Sequence, residues 1–156
     1  MILLQQHKEG SRPPRDSFKL QEEAWRRAYA EATIMQERFP TVEQLVLNIA
    51  FTNLGRIGTY SPQMHSLSPS AKAFFAVACP RTLCLHGGFD LDSTVSAMLS
   101  VRATASDGTV ECRGWVDPTC PDHARCGLQM YFRVQVRYKA AEANTLSRRS
   151  SRTSKL

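Results

Sequence analysis

The spacing of apolar residues changes period several times along the chain, and each change predicts an element. Trp25, Ala28, Tyr29, Ala32 and Met35 recur at i, i+3, i+4, i+7 and i+10, while Glu22, Glu23, Arg26, Arg27, Glu31, Glu37 and Arg38 fill the other faces. That is a helical stripe. Asp16 or Ser17 is placed to cap its start, and Pro40 stops it near Phe39. From Leu45 the period drops to two. Leu45, Leu47, Ile49 and Phe51 alternate with Val46, Asn48, Ala50 and Thr52, which predicts a strand. A Gly/Pro/Ser-rich connection over residues 53–70 leads to a second apolar run, Ala73 to Ala78, which reads as a strand ending on Cys79. Asp90 or Asp92 then caps a short helix carrying Leu91, Val95, Met98 and Leu99. Ser106-Asp107-Gly108 reads as a turn, and Thr109 to Trp115 as a third strand. The clearest alternation comes last. Leu128, Met130, Phe132, Val134, Val136 and Tyr138 share one face, and Gln129, Tyr131, Arg133, Gln135 and Arg137 share the other.

This order predicts an α+β fold, an antiparallel sheet of about four strands with an N-terminal helix and a short second helix on one face. Residues 17–140 read as a single domain, 1–16 as a flexible N-terminal segment and 141–156 as a disordered basic tail. No apolar run approaches the ~20 residues that a membrane helix needs. The start of the chain also lacks the charge order of a secretory signal, so the cytoplasm is the expected compartment. The chain ends in Ser154-Lys155-Leu156, which in a eukaryotic cell is the peroxisomal address and stands as the alternative.

Charge adds little about the folded part. Of the formal net +6, residues 147–156 hold +4, residues 1–16 hold +1, and the rest of the chain holds only +1. The basicity belongs to a Ser/Arg tail able to make salt-dependent contacts with anionic partners.

The candidate chemistry lies in the cysteines. Cys79 and Cys84 flank Pro80-Arg81-Thr82-Leu83, just ahead of Gly87-Gly88. Cys112 and Cys126 bracket the loop of a predicted hairpin, where chain-distant residues become spatial neighbours. Two such pairs from one edge of a sheet can build a tetrahedral, structural zinc site. Cys120 and His123 form Cys-x2-His-x2-Cys with Cys126, and His86 lies two residues beyond Cys84, so Cys120, His123 and His86 are alternative ligands. Buried ordinary thiols, or disulfide and redox use, are the competing readings. Five cysteines fit poorly with a closed disulfide framework.

The stretch Cys79-Pro80-x3-Cys84-x2-Gly87-Gly88, followed by a cysteine hairpin, resembles zinc-ribbon and treble-clef knuckle proteins, including small bacterial proteins of that kind. The resemblance covers roughly residues 72–138. It implies a structural metal with no reaction attached.

Other chemistry is sparser. Asp90, Asp92 and Asp107 have ordinary uses as caps and turn residues, and His65 reads as a solvated loop residue. Gly55 and Gly58 lack the strand-to-helix context of a phosphate loop. Tyr131, Arg133 and Arg137, with Arg113 on the presumed neighbouring strand, can form a nucleic-acid-binding sheet face or a plain solvent face. The expected function is a zinc-stabilised, non-catalytic binding module for an unidentified protein or nucleic acid. A metal- or thiol-dependent enzyme with a three-ligand site is the first alternative, and a nucleic-acid-binding protein is the second.

Overall fold

The computed structural model describes residues 15–52, 60–82, 84–116 and 125–141. Its elements are α1 (Arg15–Glu31), α2 (Met35–Arg38), β1 (Val42–Thr52), β2 (Gln63–Leu67), β3 (Ala76–Val77), β4 (Cys84–Leu85), β5 (Phe89–Asp90), α3 (Asp92–Ser100), β6 (Ala105–Glu111), β7 (Trp115–Val116) and β8 (Gln129–Tyr138). A four-stranded antiparallel sheet in the order β2-β1-β8-β6 forms the frame. Two short ribbons, β3 with β5 and β4 with β7, sit beside it. The fold is α+β, as the pattern of elements predicts.

The two long central strands follow directly from their alternation. Leu45, Leu47, Ile49 and Phe51 of β1 and Met130, Phe132, Val134 and Val136 of β8 are buried on one face, with Leu128 just ahead of β8. Val95, Met98 and Leu99 of α3 join the same core, with Met35, Phe75, Phe89 and Leu91 from the connecting segments. Burying an aliphatic or aromatic side chain of this size contributes about 1.5–3 kcal/mol, so this face is the main source of stability.

Several elements depart from the sequence reading. The N-terminal helical stripe is interrupted. Ile34 makes an isolated bridge to Lys72, which splits it into α1 and the single turn α2. The Lys72 ammonium donates to the carbonyls of Ala30 (3.0 Å) and Ala32 (2.7 Å), closing the C-terminus of α1 with a cation. The chain is already helical at Arg15, so Asp16 and Ser17 lie inside α1 and do not cap it.

The run Ala73 to Ala78 is not a sheet strand. Its backbone bonds singly to several partners, Ala73 N–H to Thr33 O and Leu91 N–H to Phe75 O, and only Ala76–Val77 forms the ribbon with β5. The fourth sheet strand is β2, inside the Gly/Pro/Ser-rich connection, and it carries His65 on an exposed edge. Exposure on both faces of β2 leaves no alternation to read.

The strand expected at Thr109 to Trp115 is β6, and it begins at Ala105. Ser106-Asp107-Gly108 is therefore strand and not turn. A Cβ on Gly108 would stand 3.0 Å from the Phe132 ring, so glycine here admits an aromatic on the adjacent strand. At the start of α3 the Asp90 carboxylate accepts the Asp92 N–H at 2.9 Å, while Asp92 itself pairs with Arg38 at 2.6 Å.

Candidate metal centre

Four chain-distant cysteines meet where the sheet gives way to the ribbons. Cys79 follows β3, Cys84 opens β4, Cys112 follows β6 and Cys126 precedes β8. The β6–β8 hairpin sets the second pair. The Cys112 N–H donates to Leu128 O (2.8 Å), and the Cys126 N–H donates to Gly114 O (2.7 Å), which carries the strand pairing past the end of the sheet. The first pair is set by a tight turn closed by the Cys84 N–H on Arg81 O (3.2 Å). The Arg81 guanidinium donates to Cys126 O at 2.8 Å and so ties the two pairs together.

The sulfurs converge. The Sγ atoms of Cys79, Cys84, Cys112 and Cys126 all lie within 4.8 Å of one another. Cys79 and Cys126 stand 3.7 Å apart, and Cys84 and Cys112 stand 3.6 Å apart. These separations are far beyond a disulfide bond of about 2.05 Å, and all four cysteines are free thiols. Four sulfurs this close can hold a metal ion. Cys84, Cys112 and Cys126 are buried and Cys79 is half-buried.

Glycine makes the convergence possible. A Cβ on Gly87 would lie 2.1 Å from Cys84 Sγ and 2.8 Å from Cys112 Sγ. One on Gly114 would lie 2.4 Å from Cys84 Sγ and 2.5 Å from Gly87 Cα. Any side chain at either place would occupy the sulfur cradle.

The electrostatics set Cys112 apart from Cys79 and Cys84. Burial pushes the Cys79 thiol up to about 12 and raises that of Cys84 as well, with the neighbouring sulfurs adding to both. Cys112 goes the other way. Burial opposes its charge, but the N–H groups of Gly114 and Gly88 and the thiols of Cys84 and Cys79 stabilise its thiolate, and its pKa falls below the ordinary value.

The alternative ligands separate from this group. His86 lies beside the cluster but not in it. It is exposed, its backbone is left-handed (φ 54°), and its N–H donates to Gln21 Oε1. Cys120 and His123 lie outside the described residues.

The candidate nucleic-acid set also divides. Tyr131, Arg133 and Arg137 alternate on the open face of β8, as expected. Arg113 is off the sheet, beyond β6, where it lines a groove with His86, Glu111 and Arg125. Arg137 is paired with Glu43 at 2.8 Å, and Arg133 stands opposite Asp107 in the β6–β8 register. What the sequence reading missed around the cluster is Gln21 and Trp25 of α1, which reach the knuckle from a helix distant in the chain.

Compared with protein-family models, with curated proteins and with solved structures, the chain matches none. No likeness to zinc-ribbon or treble-clef proteins is shown by these comparisons; the clustered cysteines alone are compatible with a metal site. Among the described residues, no helix is long and apolar enough to cross a membrane.

Proposed function

We propose that Cys79, Cys84, Cys112 and Cys126 hold one zinc ion as a closed structural site, and that the protein is a small binding module without a reaction of its own. One observation carries this reading. In a tetrahedron with zinc–sulfur bonds of about 2.3 Å, neighbouring sulfurs stand about 3.8 Å apart. Two of the sulfur pairs here stand 3.6 and 3.7 Å apart, with every pair inside 4.8 Å. Four soft donors in that shape favour zinc or an iron of similar coordination over magnesium or calcium. Zinc is the simpler choice for a site built to stabilise.

A closed shell of four thiolates leaves no position for water or substrate, and this supports a structural role over the three-ligand enzyme. The sheet face supports a nucleic-acid role less well. Arg137 is engaged by Glu43, Asp107 faces Arg133, and Tyr131 is the one aromatic on that face of β8. The partner is then a protein or another macromolecule, with residues 147–156 adding salt-dependent attraction to anionic surfaces.

Metal analysis combined with thiol titration tests the reading. One zinc per chain with four cysteines protected until chelator is added is the expected result. Three protected ligands with an exchangeable water would move the protein to the enzyme class. Nucleic-acid affinity that survives deletion of residues 147–156 would support the nucleic-acid reading instead.

A further inference from the structure

We propose that metal occupancy of the four-cysteine cluster controls the docking of α1, so that the helix is a strap latched by the metal site. This inference rests on the zinc reading above and adds regulation to it.

The helix is weakly held by the core. No described side chain of α1 is fully buried, and Leu20 and Tyr29 are 64% and 54% exposed. Its C-terminal half is attached by Lys72 and by Phe74, whose ring meets Trp25 and Tyr29 edge-on at 5.9 and 5.6 Å. The N-terminal half is attached to the knuckle itself. Gln21 donates from Nε2 to the carbonyl of Cys84 (3.4 Å) and accepts the His86 N–H through Oε1. Trp25 lies so close to Gly88 that a Cβ there would be 2.7 Å from its ring.

Those contacts read a particular backbone. His86 is in the left-handed region at φ 54°, which is strained for a non-glycine residue. Gly88 has φ 149°, a conformation that side chains rarely adopt. A conformation of this kind persists only when its surroundings over-determine it, and a metal bond at Cys84, two residues away, supplies that constraint. Without the ion, β4 is left with its two-residue pairing to β7, while β5 stays anchored by the buried Phe89, so the turn at His86 between them is the part released to relax. Relaxation at His86 moves both of Gln21's partners and the seat of Trp25. Of the contacts named above, those of Phe74 and Lys72 remain.

The consequence is an apolar surface whose exposure depends on metal. Between α1 and the knuckle lies a groove of about 650 Å³ lined by Leu20, Ala24, Trp25, Ala76 and Phe89 among others. Release of α1 opens it and uncovers Phe74. Coupling is reciprocal, so losing a contact that α1 makes only in the metal-bound state lowers metal affinity by the same factor as it lowers docking of the helix.

Hydrogen exchange on the full zinc-loaded chain tests this. Removing zinc with a chelator is expected to speed exchange of α1 amides by about tenfold or more, while β1 and β8 stay protected. In a second arm zinc is kept and Gln21→Ala is introduced. Here α1 exchange and the zinc dissociation constant, read by competition with chelator, are each expected to rise about fivefold, at an unchanged one zinc per chain. If chelation unfolds the sheet as well, the Gln21→Ala arm decides alone. Zinc released with four titratable thiols, but with α1 exchange unchanged and Gln21→Ala behaving as the parent, overturns the latch and leaves the zinc site standing. A chain that binds no zinc overturns both.

Discussion

The β1–β8 pair and the cysteine end of the molecule hold their shape by different physics. Along β1 and β8 ten register pairs run in antiparallel alignment over a buried face of aliphatic and aromatic side chains. At the other end β3, β4, β5 and β7 have two residues each, and the buried groups where the two cysteine pairs meet are sulfurs. The sheet carries its own driving force through apolar burial. The ribbons bury little beyond Phe89 and the sulfurs, and four thiolates in a dry site repel one another unless a cation joins them, whereas neutral thiols bury as small apolar groups. On the proposed reading, one region is stable by itself and the other becomes ordered through its ligand.

Removing a ligand tests the difference most strongly. Cys112→Ser is expected to abolish stoichiometric zinc binding and, with zinc held at about a thousandfold its parent Kd, to forfeit about 4 kcal/mol of linked stability. Thermal unfolding with and without added zinc reads this directly. An unchanged zinc-induced shift in Tm would break the distinction between the regions.

Leu45→Ala attacks the other region. Leu45 is fully buried at the centre of the sheet, and the truncation is expected to cost about 2–5 kcal/mol in chemical denaturation while zinc stoichiometry stays at that of the parent.

Gly114→Ala sharpens the comparison from the metal side. Its new methyl would stand 2.4 Å from Cys84 Sγ and 2.7 Å from the Gly87 nitrogen. The expected penalty of about 1–3 kcal/mol should appear as weakened zinc affinity in a competition titration, with β1 and β8 amide protection retained.

The smallest effect concerns the link between α2 and α3. The Arg38 guanidinium, hydrogen-bonded to Asp92, holds that carboxyl below its ordinary value of 3.8. A depressed folded-state pKa means that the pair's contribution is complete above the ordinary carboxylate range and is lost as pH falls through the folded value. Both side chains are substantially exposed, so Asp92→Asn is expected to cost less than about 1 kcal/mol near neutral pH. The Tm difference between variant and parent should shrink on acidification below the carboxylate range. A difference that grows with acid would contradict the pairing.

Legibility in the sequence followed the same division. The alternation in Leu45 to Phe51 and Leu128 to Tyr138 reads out because those strands bury one face and expose the other. Edge strand β2 was invisible because neither face is buried, and Gly108 posed as a turn residue although it serves the Phe132 ring. The run Ala73 to Ala78 is apolar because it threads the core, not because it pairs in the sheet. At the candidate site, the hairpin argument placed Cys112 beside Cys126, and the knuckle spacing placed Cys79 near Cys84. Gln21 and Trp25 were not legible as neighbours of the knuckle. Their contact arises from a helix some sixty residues earlier in the chain, and no local pattern encodes it.

X-ray absorption at the zinc edge of the full-length protein is the most direct test of the central claim. Four sulfur scatterers at about 2.3 Å, with no nitrogen or oxygen in the inner shell, is the predicted result. A mixed shell containing nitrogen or oxygen, or a protein that carries no metal and is indifferent to chelators, would contradict it.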